Sequence, residues 1–90
     1  MSAAERTVEV VNKRGLHARA SAKFVTLAAQ CGATVEVEKD GNSVCGTSIM
    51  GLMMLGAAMG DSITIRALGD DADAAVEQLA ALVESRFGEE

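Results

Sequence analysis

His17, the only histidine in the chain, lies within Gly15-Leu16-His17-Ala18-Arg19. Imidazole is the side chain whose unperturbed pKa falls near ~6.5, so it is the natural neutral nucleophile at cellular pH. Such a ring nitrogen takes up a phosphoryl group covalently and hands it on, dividing one transfer into two easier steps. A helix starting at or just after His17 would aim unpaired backbone N–H groups, and the positive end of its dipole, at that phosphate. Arg19 is close enough to add a guanidinium fork. A lone histidine before a helix also reads as a cap or a solvated surface group, and residue type alone leaves both readings open.

The elements that must position His17 follow from hydrophobic period. Met1 to Glu5 read as a short mobile terminus, and Thr7 to Val11 as a strand with Val8 and Val10 turned to a core. Asn12-Lys13-Arg14-Gly15 ends that strand in a turn. From His17 to about Gln30 the period becomes helical. Ala20, Phe24, Leu27, Ala28 and Cys31 form an apolar stripe, while Arg19, Lys23, Thr26 and Gln30 form a polar one. Arg19 and Lys23 thus project together beside the helix start, and Gly32 is placed to end the helix.

Thr34 to Glu38 and Ser43 to Cys45 read as strands joined by an Asp40-Gly41 hairpin, and Ser62 to Ala67 as a fourth strand. After Gly69, Asp70 or Asp71 can cap a last helix that buries Ala72, Val76, Leu79, Ala80, Val83 and Phe87 and stops at Gly88. Between Gly41 and Gly60 there is no charged residue. The apolar run Ile49 to Met59 spans eleven residues and is broken by Gly51 and Gly56, far short of the ~20 a membrane helix needs. It reads as a short helix capped by Thr47 or Ser48. Leu52 and Leu55 share one face, and Ile49, Met50 and Met53 cluster on another. That second face is either an exposed contact patch suited to flexible Met or simply more core. The order is βαββαβα, an α+β fold with a four-stranded, mostly antiparallel sheet covered by helices on one face and open on the other.

Composition narrows the function. Ninety residues make one domain with one modest core. Phe24 and Phe87 are the only aromatics, which disfavours base-stacking nucleic-acid recognition. The net charge of −5 argues against general binding to phosphate backbones or anionic membranes. Its distribution is uneven: Val10 to Val35 hold Lys13, Arg14, Arg19 and Lys23 and no acid, while the rest of the chain has four basic against thirteen acidic residues. A basic face around His17 suits a phosphate and an acidic partner, although an ordinary solvated helix face has the same composition. Cys31 and Cys45 form no Cys-x-x-Cys pair, so neither a zinc nor a redox motif is indicated, and both read as small apolar core residues. No metal or cofactor is expected. Nothing at the start resembles a secretory signal, so a reducing cytoplasm is the expectation.

Two motifs together carry a resemblance. Gly15-Leu16-His17-Ala18-Arg19 followed by Ala22-Lys23-Phe24-Val25, and Thr47-Ser48-Ile49-Met50-Gly51-Leu52-Met53-Met54-Leu55, resemble the HPr family, the histidine-containing phosphocarriers of the phosphoenolpyruvate-dependent phosphotransferase system. The resemblance runs from about Thr7 to Phe87, and residues 1–90 are expected to form a single HPr-like domain. It implies an open-faced β-sandwich with sheet order 1-4-2-3 and three helices on one face. It implies phosphorylation of His17 on Nδ1 by phospho-enzyme I and transfer to a IIA-type acceptor, with Arg19 and the backbone N–H groups after His17 holding the phosphate. Ile49, Met50, Met53 and Lys23 would meet successive partners, and the carrier is expected to be a monomer. Ser48 matches the serine phosphorylated by an HPr kinase/phosphorylase in those members that have one. Read from the residues, Ser48 is equally a plain N-cap. Phosphate at a helix start leaves the fold intact but repels an acidic partner.

One departure is Ala20, where many members have proline directly after the arginine. The loss concerns local stiffness rather than chemistry. Alanine here resembles the nitrogen-related branch, which leaves sugar transport and nitrogen-type regulation both open as the destination of the phosphoryl group. Two other classes compete with the carrier. A non-catalytic regulatory module would act through Ile49, Met50 and Met53 with Ser48 as its switch, and would tolerate loss of His17. A small ferredoxin-like enzyme or metal chaperone would want paired cysteines in the first loop or further catalytic groups near His17, and the sequence supplies only basic residues there.

Overall fold

A computed structural model describes residues 2–89. Its elements are β1 (Ser2–Glu9), α1 (Ala18–Gln30), β2 (Ala33–Lys39), β3 (Asn42–Cys45), α2 (Ile49–Met54), β4 (Ser62–Gly69), α3 (Ala72–Glu84) and a closing 3-10 turn (Arg86–Gly88). The four strands form one sheet in the order β1-β4-β2-β3, and every neighbouring pair is antiparallel. The α+β fold and the three helices are those expected from the sequence, and the strand order is the one the family resemblance implies.

Alternation explains the layers. In β4, Ile63, Ile65 and Ala67 are buried, while Ser62, Thr64, Arg66 and Leu68 face the other way. Val8 of β1 and Val35 and Val37 of β2 join the buried side. Onto that face α1 brings Ala20, Phe24 and Ala28, α2 brings Leu52, and α3 brings Ala72, Ala75, Val76, Leu79, Ala80 and Val83. The opposite face is uncovered and polar. There Thr7 and Thr64 hydrogen-bond at 2.9 Å, and Arg66 pairs with Glu5 at 2.8 Å and with Glu38 at 2.5 Å. Among the described residues no helix is long and apolar enough to cross a membrane, and no group of three or more His, Cys, Asp or Glu is placed to hold a metal.

Four expectations are corrected. Ser2 to Glu5 are strand rather than mobile terminus, because β4 continues to Gly69 and Ser2 pairs with it; Met1 lies outside the described residues. Small, mixed side chains hid the alternation there. Val10 is fully buried but follows the strand's end, its N–H donating to Asp61 O at 2.8 Å. Cys45 is exposed rather than core, since it sits opposite Glu36 on the open face, and Cys31 is only half-buried.

The last correction concerns the end of α3. Asp71 occupies the N-cap position with φ +61 and makes no side-chain cap bond. Phe87 is buried as expected, but not on the helix, which stops at Glu84. Arg86 and Phe87 adopt φ of +62 and +55 and turn the chain back toward the start of α1. Left-handed backbone at a non-glycine residue costs on the order of 1–3 kcal/mol. Burying the Phe87 ring contributes ~1.5–3 kcal/mol, which offsets about one such residue. Further hold comes from Lys23, whose Nζ donates to Phe87 O at 2.7 Å.

Candidate functional site

The turn before α1 is shaped by close backbone contact. Gly15 has φ +62, and a Cβ there would stand 2.2 Å from Ala57 O, so glycine is required on both counts. Leu16 N–H donates to Ala57 O at 3.0 Å and the Leu16 side chain is buried. Ser21 Oγ, also buried, donates back to Leu16 O at 3.2 Å. These contacts tie the loop to the α2–β4 connection and deliver His17 to the N-cap of α1, where its C=O accepts the Ser21 N–H at 2.9 Å.

Both ring nitrogens of His17 have partners. Nδ1 accepts the Arg19 backbone N–H at 3.2 Å, the N-cap bond of α1. Nε2 lies 2.5 Å from Glu89 Oε2. An ionised carboxylate only accepts, so Nε2 carries the proton and Nδ1 the lone pair. Glu89 is held in turn by Asn12, whose Nδ2 donates to Glu89 Oε1 at 3.1 Å and to Gly15 O at 2.9 Å. Burial pushes the Glu89 carboxyl up, but the hydrogen bonds from His17 and Asn12 and the nearby Lys23 charge outweigh it, so the group sits below its ordinary value.

Sequence reasoning missed Glu89 and read Asn12 only as a turn residue. Glu89 stands 72 positions from His17, beyond any local pattern. Asn12, at 1 % exposure, is more buried than a turn residue needs to be, and only the fold reveals it.

Arg19 and Lys23 emerge beside His17 as expected. With Lys13, Arg14, Gly88 and Glu89 they border an open recess, of which Glu89 is the member that touches the ring. Lys23 is less free than the helical wheel implies, since its ammonium clamps Phe87 O. The cap reading of His17 is seen directly, since the ring caps α1 through Nδ1, and that same nitrogen carries the lone pair. Four cationic side chains around the recess complement a phosphate.

Comparison with known proteins bears on this arrangement. A family model described as the PTS HPr component phosphorylation site matches residues 4–85. The chain belongs to the HPr family. It is 44 % identical over 85 residues to phosphocarrier protein HPr of Cupriavidus necator, covering 94 % of this chain and 96 % of that one. It is 40 % identical over 89 residues to phosphocarrier protein NPr of Shewanella violacea, covering 99 % and 98 %. A crystal structure of HPr from Thermoanaerobacter tengcongensis superposes with a TM-score of 0.92 at 46 % identity, covering 97 % and 98 %. Membership carries the general role of a phosphocarrier of the phosphotransferase system.

The second HPr motif forms α2. Ser48 is its N-cap, with Oγ accepting the Gly51 N–H at 2.9 Å, whereas Thr47 lies outside the helix. Leu52 is buried and Leu55 partly so; Ile49, Met50 and Met53 are 42 %, 69 % and 42 % exposed. The apolar surface is wider than the sequence pattern showed, because Met54 and Met59 are exposed as well. Ala20, where many HPr proteins have proline, is buried in the first turn of α1.

Proposed function

We propose that His17 accepts a phosphoryl group on Nδ1 from phospho-enzyme I and donates it to a IIA-type protein. The observation that carries this reading is the state of the ring: Nε2 is engaged by Glu89, and Nδ1 holds a lone pair at the start of α1. Attack from Nδ1 forms the N–P bond as the donor's bond to phosphorus breaks. That lone pair can then no longer accept the Arg19 N–H. A phosphate oxygen takes its place as acceptor, so the helix exchanges one cap for another, and the dipole favours the added charge. The exposed Arg19 guanidinium stabilises the same oxygens.

Docking is assigned to Ile49, Met50 and Met53, with Lys23 beside the ring contributing charge. Exposed Met adapts to several partner surfaces in turn, and one carrier presenting one face is consistent with a monomer in the cytoplasm. The experiment is to incubate the protein with phosphoenolpyruvate, magnesium and enzyme I beside a His17→Ala control, followed by intact mass. One added phosphate, labile in acid, stable in alkali and absent from the control, is the expected result. No transfer from a demonstrably active cognate enzyme I overturns the reading.

A second reading is favoured by the exposure of the α2 face: a regulatory module that binds through Ile49, Met50 and Met53 and is switched by an HPr kinase/phosphorylase at Ser48. Phosphate on Ser48 keeps acceptors near the Gly51 N–H but places charge next to an apolar docking face. Function that survives His17→Ala and is lost in Met50→Lys would favour this reading. Whether the phosphoryl group serves sugar transport or nitrogen-type regulation depends on which IIA-type protein accepts it.

A further inference from the structure

The segment after α3 ends against His17, and this contact requires an explanation. Two successive left-handed non-glycine residues, Arg86 and Phe87, followed by Gly88 at φ +74, reverse the chain. Phe87 is 1 % exposed and anchors the reversal in the core, and Lys23 Nζ grips its carbonyl. Gly88 and Glu89 continue the turn through bonds to Ser85 O and Arg86 O. The result is a carboxylate with each oxygen committed: Oε2 to His17 Nε2 at 2.5 Å, Oε1 to Asn12 Nδ2 at 3.1 Å.

Asn12 is oriented by its partners. Gly15 O and Glu89 Oε1 both only accept, so both must face Nδ2. Oδ1 is left buried, without a partner among the described residues. A buried amide oxygen without a partner calls for an explanation. Here the other end joins the turn carrying His17 to the carboxylate facing His17.

We propose that Glu89, braced by Asn12, is a positioning residue that holds the His17 ring by Nε2–H and so directs phosphoryl chemistry to Nδ1. The inference rests on the phosphocarrier reading of His17 and assigns to that site the element that decides which nitrogen reacts. It acts in two ways. The carboxylate occupies Nε2–H, leaving the lone pair on Nδ1, where it is held only by the Arg19 backbone N–H at 3.2 Å. When the Nδ1 electron pair forms the N–P bond and the donor's bond to phosphorus breaks, with its electron pair leaving on the donor atom, the His17 ring becomes a phosphoimidazolium. Its proton stays on Nε2, and the new positive charge develops against a carboxylate already in place.

The test uses the full chain labelled with 15N-histidine and two phosphoryl donors, phosphoramidate as a small chemical donor and phospho-enzyme I. Long-range 1H–15N and 31P spectra identify the phosphorylated nitrogen. The wild type is expected to hold one neutral tautomer, protonated on Nε2, and to be labelled on Nδ1 by either donor. Glu89→Ala, which spares the core, is expected to raise the Nε2-phosphate share from phosphoramidate at least ~10-fold and to lower kcat with enzyme I on the order of tenfold, with a smaller change in KM. Asn12→Ala should shift both readouts in the same direction, and Glu89→Asp should recover part of each. A Glu89→Ala protein that keeps the wild-type amide spectrum, ring tautomer and exclusive Nδ1 product overturns the proposal. If enzyme I labels no variant but phosphoramidate gives the expected change of nitrogen, the donor assignment falls and the positioning role stands.

Discussion

Glu89 Oε2 and His17 Nε2 meet at 2.5 Å across 72 positions of sequence, and the same carboxylate reaches back to Asn12 at 3.1 Å. The His17 ring is therefore set by two chain segments that bracket nearly the whole fold. The turn before α1 places the ring, and the turn after α3 orients it. Disturbing either turn should be felt at the other.

The anchor of the second turn is Phe87. Phe87→Ala should cost ~3–5 kcal/mol, as expected for emptying a well-packed aromatic site. It should also release Glu89 from the ring. Lys23→Met removes the clamp on Phe87 O and leaves the core intact. Amide exchange should then quicken at Glu89, whose N–H donates to Arg86 O, while the β4 amides stay protected. Equal protection of the Glu89 amide in both proteins would show that the clamp is idle.

Gly15 tests the first turn. Its φ of +62 disfavours any side chain, and an added Cβ meets Ala57 O at 2.2 Å and Ala58 Cα at 2.8 Å. These are backbone atoms with little room to yield. Gly15→Ala should destabilise the fold by about 2–4 kcal/mol, seen as a lower denaturant midpoint at unchanged slope. The His17 ring resonances should move as well, since the Leu16–Ala57 hydrogen bond that sets the loop is pushed apart.

Glu89 gives the contact a pH dependence of definite sign. Burial pushes its carboxyl up, but the His17 and Asn12 hydrogen bonds and the nearby Lys23 charge outweigh it, so the group is depressed from an ordinary value of 4.5. A carboxylate depressed in the folded state contributes stability that is fully present above the ordinary value and is lost as pH falls through the lowered one. The His17–Glu89 contact should hold at neutral pH and break only in acid below about 4.5. A 13C titration of the Glu89 side chain reads this directly, and Asn12→Ala should move its midpoint upward.

The two cysteines should differ in reactivity. Thr47 hydrogen bonds draw the exposed Cys45 thiol below its usual value, and burial pushes Cys31 up. Alkylation near neutral pH should therefore modify Cys45 first, by several-fold, as followed by peptide mass. Thr47→Val should narrow the gap.

The legible part of this molecule is what local spacing controls. The stripe Ala20, Phe24, Ala28 placed α1, and Asp40-Gly41 marked the hairpin, where both residues have positive φ, +51 and +85. The Gly15 to Arg19 motif, with the Thr47 to Leu55 motif, marked the family. Ser2 to Glu5 were not legible as strand, because small side chains carry no alternation and only the pairing with β4 orders them. Phe87 was legible as core from its spacing but not as the pivot of a reversal, since two left-handed non-glycine residues have no signature in residue type. Glu89 was illegible for a different reason: contact between distant segments is a property of the closed fold.

On the proposed phosphocarrier role, phosphate on this chain is in transit. The direct measurement is single-turnover discharge: load the protein from enzyme I, remove the donor, mix with a IIA-type acceptor, and follow both masses over time. The expected result is a mass increment that leaves this protein and appears on the acceptor much faster than it is lost in buffer alone, with none loaded on His17→Ala. Loss only to water, at the same rate with every acceptor as without one, would contradict the carrier reading.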